Sequence, residues 1–294
     1  MKLVFGLICI LLIVLLIKYN EHFNNPKNKH TKPRVVVCLF GVIPRSIKYT
    51  WESININIIQ KLKEKYSVDI YIFNLDVEDT KVDGVKLNKN DINIIPYNIK
   101  EEYKQHELDK TIDKFCSKIQ CKIHKYSKNT NYNSIRQMYS EYRVGKFLEK
   151  NKSKYIGAVA VGPDYYILNP IKEKDFSDSI HTNKSLIYLT HVNNGSNGGY
   201  TNGLYFGKID NLNKILFRYL LLHKYLPTKK DYEYILKKAC VDSNINIRIS
   251  DIIFFKIRAN KKAILQTKPQ HIHLIKDYNK VKYKLNKLNN KLNS

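Results

Sequence analysis

Two short apolar runs constrain what this chain can fold into more than any other feature. Arg34–Leu39 (RVVVCL) and Tyr155–Val161 (YIGAVAV) show no alternation of polar and apolar residues. A strand with one wet face alternates, whereas a strand covered on both faces does not. Both runs therefore read as strands inside a sheet flanked by helices, an α/β fold. The second run stops at Gly162-Pro163-Asp164 and resumes as Tyr165-Tyr166-Ile167-Leu168. That break leaves one carboxylate, Asp164, at the carboxyl edge of the sheet, where ligands of open α/β sheets bind. A carboxylate there can hold a metal ion or a sugar hydroxyl.

The flanking pattern agrees with this reading. Gly41 and Pro44 end the first strand, and Thr50 is placed to cap a helix. In that helix Trp51, Ile54, Ile58 and Leu62 recur at helical spacing. Val68–Asn74 (VDIYIFN) is the next strand and completes a βαβ unit. Ile92–Ile95 reads as a third strand, Ile99–Phe115 as a helix and Lys122–Asn133 as polar and irregular. Ser134–Lys150 is an amphipathic helix with Ile135, Met138, Tyr142 and Phe147 inward. Leu186–Leu189 is a strand, followed by the loop His191–Asn202, whose glycines permit close backbone approach to a ligand. Helices near Leu212–Leu222 and Lys230–Cys240 and strands at Ile245–Ile249 and Ile252–Ile257 close the domain.

Leu3–Ile17 is unbroken apolar sequence between Lys2 and Lys18. At ~1.5 Å per residue it covers somewhat over ~20 Å of a ~30 Å hydrocarbon core. Lys18 and Tyr19 can extend that span by snorkelling. A cleaved signal peptide has the same length, but IKYNEHF is a poor cleavage site. Residues 1–18 thus read as a single-pass signal anchor, 19–33 as a polar stem, 34–270 as one domain and 271–294 as a basic amphipathic tail.

The formal charge is +25, but the lysines are spread along the chain and over-used together with Asn, Ile and Tyr. This is the signature of compositional drift more than of a selected polyanion surface. There is no GxGxxG, P-loop, HExxH or GxSxG, which removes the usual dinucleotide, NTPase, zincin and hydrolase readings. The five cysteines give no zinc pattern; Cys116 and Cys121 are close enough for a local disulfide. His271 and His273 form an HxH that can place two ligands on one side of a strand.

Polar residues at strand ends suit a nucleotide-diphosphate ligand. Arg45, after the first strand, can pair with a diphosphate because guanidinium forks match phosphate oxygens. Asn74 and Asp76 end the second strand, where an acid or amide can take nucleoside hydrogen bonds. Arg136, Gln137 and Arg143 lie on the helix that feeds the Asp164 strand. Asp251, between two late strands, is a candidate general base not distinguishable here from Asp242.

Four segments in order resemble a family of glycosyltransferases with a GT-A-like nucleotide-sugar fold, found in large DNA viruses and bacterial surface-polysaccharide clusters. The first carries Gly41, Arg45, Ser46, Thr50, Ser53, Ile54, Val68, Asp69, Ile70 and Tyr71, matching G-x-x-R-S, T-x-x-S-I and V-D-[IV]-[YF]. The second carries Gln137, Tyr139, Ser140, Tyr142 and Arg143. The third is AVAVGPDYYILNPI, and the fourth runs from Asn202 to Gly207. Together they span Arg34 to Lys262. Gly162 stands where the family has Arg, Gly203 where many members have an acid, and there is no D-x-D.

The resemblance implies a Rossmann-like domain with a mixed, mainly parallel sheet. It implies transfer of a sugar from a nucleotide-sugar donor to a glycan or glycoprotein acceptor, with Mn²⁺ or Mg²⁺ at Asp164. Asp164 and Asp251 would be catalytic. Arg45, Asn74, Asp76, Arg136, Gln137, Arg143, Asn202 and Tyr205 would bind the donor. Such enzymes commonly face a lumen from their anchor, whereas the positive-inside rule assigns this domain to the cytosol, so the side stays open. Two other classes fit the residues: a non-enzymatic binder of nucleic acid or anionic membrane, and a degenerate transferase that only binds. The absence of RRM, KH and zinc-finger signatures argues against nucleic acid as a partner.

Overall fold

The computed structural model describes residues 32–78, 81–119, 128–190, 198–225, 232–265 and 277–294. The apolar segment 3–17, the stem up to residue 31, Cys121 and the HxH at 271–273 lie outside the described residues. Among the described residues no helix is long and apolar enough to cross a membrane.

The two non-alternating runs form β1 (Arg34–Gly41) and β4 (Gly157–Val161). They lie side by side and parallel at the centre of a seven-stranded sheet, and their interior residues are fully buried. On the other side of β1 come β2 (Ser67–Asp76) and β3 (Ile99–Lys104), both parallel to it. Beyond β4 lie β7 (Leu204–Gly207), β6 (Leu186–Thr190) and β8 (Asn246–Ser250), giving the order β3-β2-β1-β4-β7-β6-β8. Only β7 runs against its neighbours. A second sheet of three strands joins β10 (Ala263–Ile264), β9 (Phe254–Ile257) and β5 (Tyr165–Ile167). The expected α/β class with a mixed, mainly parallel sheet is what the chain adopts.

Helix α1 (Ile47–Ile54) continues through a π-helical stretch, Asn55–Gln60, to a last turn at Lys61–Lys63. The wider winding releases the Asn57 carbonyl, which accepts the amide of Ile171, while the Asn57 amide group donates to the Ile167 carbonyl. Helices α2 (Gln105–Ile119) and α3 (Lys128–Lys150) cover the opposite face. There Ile135, Met138 and Phe147 join Phe73, Ala158 and Tyr205 in one apolar cluster. The remaining helices are α4 (Glu173–His181), α5 (Ile209–Leu216), α6 (Leu222–Tyr225), α7 (Tyr232–Asp242) and α8 (Tyr278–Asn293). Val281 and Leu288 of α8 pack on Phe255, Ile257 and Ala263, and Asn289 bonds the Ala263 backbone, so the basic tail is seated on the small sheet.

Four expected elements differ, the first being the irregular stretch Lys122–Asn133, whose last six residues open α3 at Lys128. Ile92–Ile95 is not a strand; Lys89–Ile94 forms a 3-10 helix started by Asn88, whose side chain accepts the Asn90 amide. The third strand is Ile99–Lys104, read from sequence as the start of a helix; α2 begins only at Gln105. Its residues alternate between half-buried and exposed, as an edge strand with one covered face requires. Thr50 caps nothing: it is an interior, fully buried residue of α1.

Candidate functional site

β1 is the point where the chain changes direction across the sheet. From β1 it passes to β2 and β3 on one side and returns to β4 on the other. At the carboxyl edge between β1 and β4 the connections diverge, and such a switch point opens a crevice. Residues 42–46 leave β1 there, and Gly162-Pro163-Asp164 leave β4. Because β7 is antiparallel, it enters the sheet at this same edge, with Leu204 opposite Val161. The Gly162 amide donates to the Gly203 carbonyl at 2.8 Å. Asp164, Asn202 and Gly203 thus share one corner.

Hydroxyls at the start of α1 fix this corner. Thr50 Oγ1 donates to the Pro163 carbonyl at 2.6 Å. Ser46 Oγ donates to the Ile257 carbonyl, and the Ile257 amide donates to the Asp164 carbonyl at 2.8 Å. Ser53 Oγ accepts the Ile167 amide at 3.0 Å. The side chains of the R-S and T-x-x-S motifs therefore hold both ends of the turn that presents Asp164.

Behind the corner lies a dry polar network. Gln137 Nε2 donates to Asn202 Oδ1 at 3.1 Å and to Glu141 Oε1 at 2.9 Å. Tyr205 Oη accepts the Gly203 amide at 2.7 Å and also meets Glu141 and Arg218. Glu141 and Arg218 form an ion pair with no exposed side-chain surface. Burial and the Glu141 carboxylate push the Tyr205 hydroxyl well above its ordinary value, so it stays protonated. Tyr165 Oη donates to the Asn202 carbonyl. Gly203 has φ +87°, and a Cβ there would stand 2.4 Å from Tyr165 Oη. A side chain at this position would have to displace Tyr165 and adopt a backbone conformation that favours glycine.

Five charged side chains gather around the corner. Asp164 is only 13% exposed, and Arg258 Nη1 lies 3.9 Å from its carboxylate. Arg45 is held by Asp83 through two 3.0 Å hydrogen bonds, and Asp83 also accepts the Ala259 amide. Lys256, on β9, is 7% exposed, with its ammonium 5.1 Å from the Tyr165 ring centre. Burial lowers its pKa below the ordinary lysine value, although the Asp164 charge acts the other way. Lys256 and Arg258 are absent from the residues picked out by sequence. The available signal was a lysine inside the apolar run Phe254-Phe255-Lys256-Ile257.

The remaining candidates are spread along the edge. Asn74 accepts the Ile43 amide and donates to Glu102, fixing the exit of β1. Asp76 pairs with Lys89, one strand further out. Arg136 is held by Asp109, and Arg143 pairs with Glu101 over the Phe73 ring, so these two line the α3 side of β2 and β3 rather than the corner. Asn202 and Tyr205 are buried in the network that supports the corner. Asp251 follows β8, three strands or ~14 Å along the edge from β4, and pairs with Lys172.

Among the described residues the donor set around Asp164 does not fit a divalent metal. Among the described residues no three His, Cys, Asp or Glu side chains converge anywhere. Asp164 is one carboxylate, faced by the cations of Arg258 and Lys256. Gly162 supplies no second ligand, and a Cβ on it would stand 3.2 Å from Asp164 Oδ1. Mn²⁺ and Mg²⁺ need several oxygen ligands.

No protein-family model matches this chain, and no curated protein matches it in sequence. Among solved structures it is similar to the apo form of mouse xyloside xylosyltransferase 1. The TM-score is 0.44 and the identity 8%, over 74% of this chain and 85% of that one.

Proposed function

We propose that this chain is a glycosyltransferase that moves a sugar from a nucleotide-diphosphate donor to a hydroxyl of a glycan or glycoprotein. One observation carries the reading. The four sequence segments that resemble the glycosyltransferase family are far apart in the chain, yet residues of all four meet at the β1–β4 switch point. Thr50 bonds Pro163, Gln137 bonds Asn202, and Gly162 bonds Gly203.

In this reading the donor lies across the carboxyl ends of β1 and β4. Arg45, Asn74 and Asp76 are on the side of the nucleoside diphosphate, and Asp164 accepts hydrogen bonds from hydroxyls of the donor sugar. Charge grows on the leaving diphosphate as the glycosidic bond breaks, and fixed cations aimed at it lower the barrier. Asp251, three strands along the edge and paired with Lys172, is too far from Asp164 to act as base on a hydroxyl attacking a sugar held there. Segment 3–17 anchors the domain to a membrane.

A chain that only binds its donor is the second reading, favoured by the single carboxylate at the corner. Nucleotide release from a panel of sugar nucleotides, with Asp164→Ala alongside, separates the two. Release abolished by Asp164→Ala supports transfer. Donor binding without turnover, in the presence of candidate acceptors, supports the second.

A further inference from the structure

Lys256 is the most anomalous charge in the molecule. It sits in β9, opposite Tyr165 of β5, in a strand whose other residues are fully buried and apolar. Its side chain is more than nine-tenths buried. Taking an ammonium out of water is costly, and nearby charges and ring faces offset that cost only in part. The Tyr165 ring face, 5.1 Å from the ammonium, offsets a part of that. The Asp164 and Glu233 carboxylates act on Lys256 as negative charges, and Asp164 also faces Arg258 at 3.9 Å. Arg45, a third cation, also acts on Lys256 from the β1 exit.

We infer that Lys256 and Arg258, beside Asp164, form a built-in cation site that binds the phosphate groups of an anionic ligand in place of a divalent metal. The inference rests on the nucleotide-diphosphate reading for the identity of the ligand, but not for its charge. Its logic is that of the corner itself. A buried ammonium and a guanidinium fork stand where a metal would need carboxylates, and both donate to phosphate oxygens. Asp164 keeps the two cations apart and oriented when no ligand is present.

The test is calorimetric titration of the full chain with inorganic pyrophosphate and with a panel of nucleoside diphosphates, in EDTA and separately in Mn²⁺. The expected result is binding in EDTA that Lys256→Met weakens tenfold or more and Lys256→Arg weakens less, with Arg258→Gln also weaker. Thermal unfolding of each variant controls for folding. Lys256→Met removes a buried charge and should unfold no earlier than the parent chain. Binding that needs Mn²⁺ and is unchanged in Lys256→Met overturns the inference and leaves the glycosyltransferase reading standing. Pyrophosphate binding lost in Lys256→Met, with no nucleoside diphosphate bound, supports the cation site and overturns the nucleotide reading. No binding of any probe overturns both.

Discussion

Thr50 donates its hydroxyl proton to the carbonyl of Pro163, 113 residues later, across 2.6 Å. The bond joins the second turn after β1 to the break after β4. It spans the switch point and fixes the backbone that presents Asp164. The bond is buried, and in a low-dielectric surrounding a hydrogen bond is electrostatically stronger than in water.

Replacing Thr50 with Val keeps the shape and deletes the donor. The Pro163 carbonyl is then buried with nothing to accept. A loss of about 1–3 kcal/mol in stability is expected from an orphaned buried acceptor. Urea unfolding checks the stability, and donor titration checks the site. Affinity should fall more than in Ser53→Ala, since Ser53 bonds further along, at Ile167.

Gly203→Ala tests the close approach behind the corner. The added Cβ meets Tyr165 Oη, and φ +87° is strained for any side chain. A destabilisation above ~1 kcal/mol is expected. Gly203→Ala with Tyr165→Phe relieves the clash but not the backbone strain, so the double variant should recover only part of the loss in thermal melts.

How much of this could be read from the sequence depends on whether the deciding interaction is local. β1, β2, β4 and β6 are apolar runs and were legible as such. β3 was not, because Ile99–Lys104 sits on an edge and its glutamates and lysines look helical. The 3-10 turn at Lys89–Ile94 was hidden for the opposite reason, since its isoleucines look like a strand. Thr50 had the chemistry of a cap, and only its long-range partner gives it another role. Asp164 was legible from the Gly-Pro break that ends its strand and Gln137 from its helix, whereas Asn202 came forward only through motif order. Lys256 and the Glu141–Arg218 pair were not, because a charge inside a core has meaning only through what surrounds it.

The Glu141–Arg218 pair makes its own prediction. Both side chains are fully buried, and Tyr205 ties the pair to the Gly203 amide. Glu141→Ala leaves the Arg218 guanidinium charged in a dry site, and removal of one partner of such a pair costs roughly 3–5 kcal/mol. Glu141→Ala with Arg218→Met removes both charges and should be less destabilised than Glu141→Ala alone. A double-mutant cycle by chemical denaturation measures the difference. Equal stability of the single and double variants would mean the pair does not support the corner.

Asp83 couples the site to pH. Its burial favours the neutral form, but the Arg45 hydrogen bonds and the Ala259 amide outweigh it and hold its carboxyl below the usual value of 3.8. A carboxylate with a depressed folded-state pKa stabilises the fold fully above its unfolded value. That contribution disappears as pH falls through the folded value. Asp83→Asn keeps an acceptor for the Ala259 amide but has no charge to lose, so its stability should change less between about pH 5 and pH 2 than that of the parent chain. Near neutral pH the same variant no longer neutralises Arg45. If Arg45 belongs to the anion-binding side of the crevice, Asp83→Asn should then bind pyrophosphate more tightly than the parent chain, and more so at low ionic strength. An unchanged affinity, with the acid limb flattened, would assign the Arg45–Asp83 pair to holding the β1 exit against β9 and remove Arg45 from the ligand.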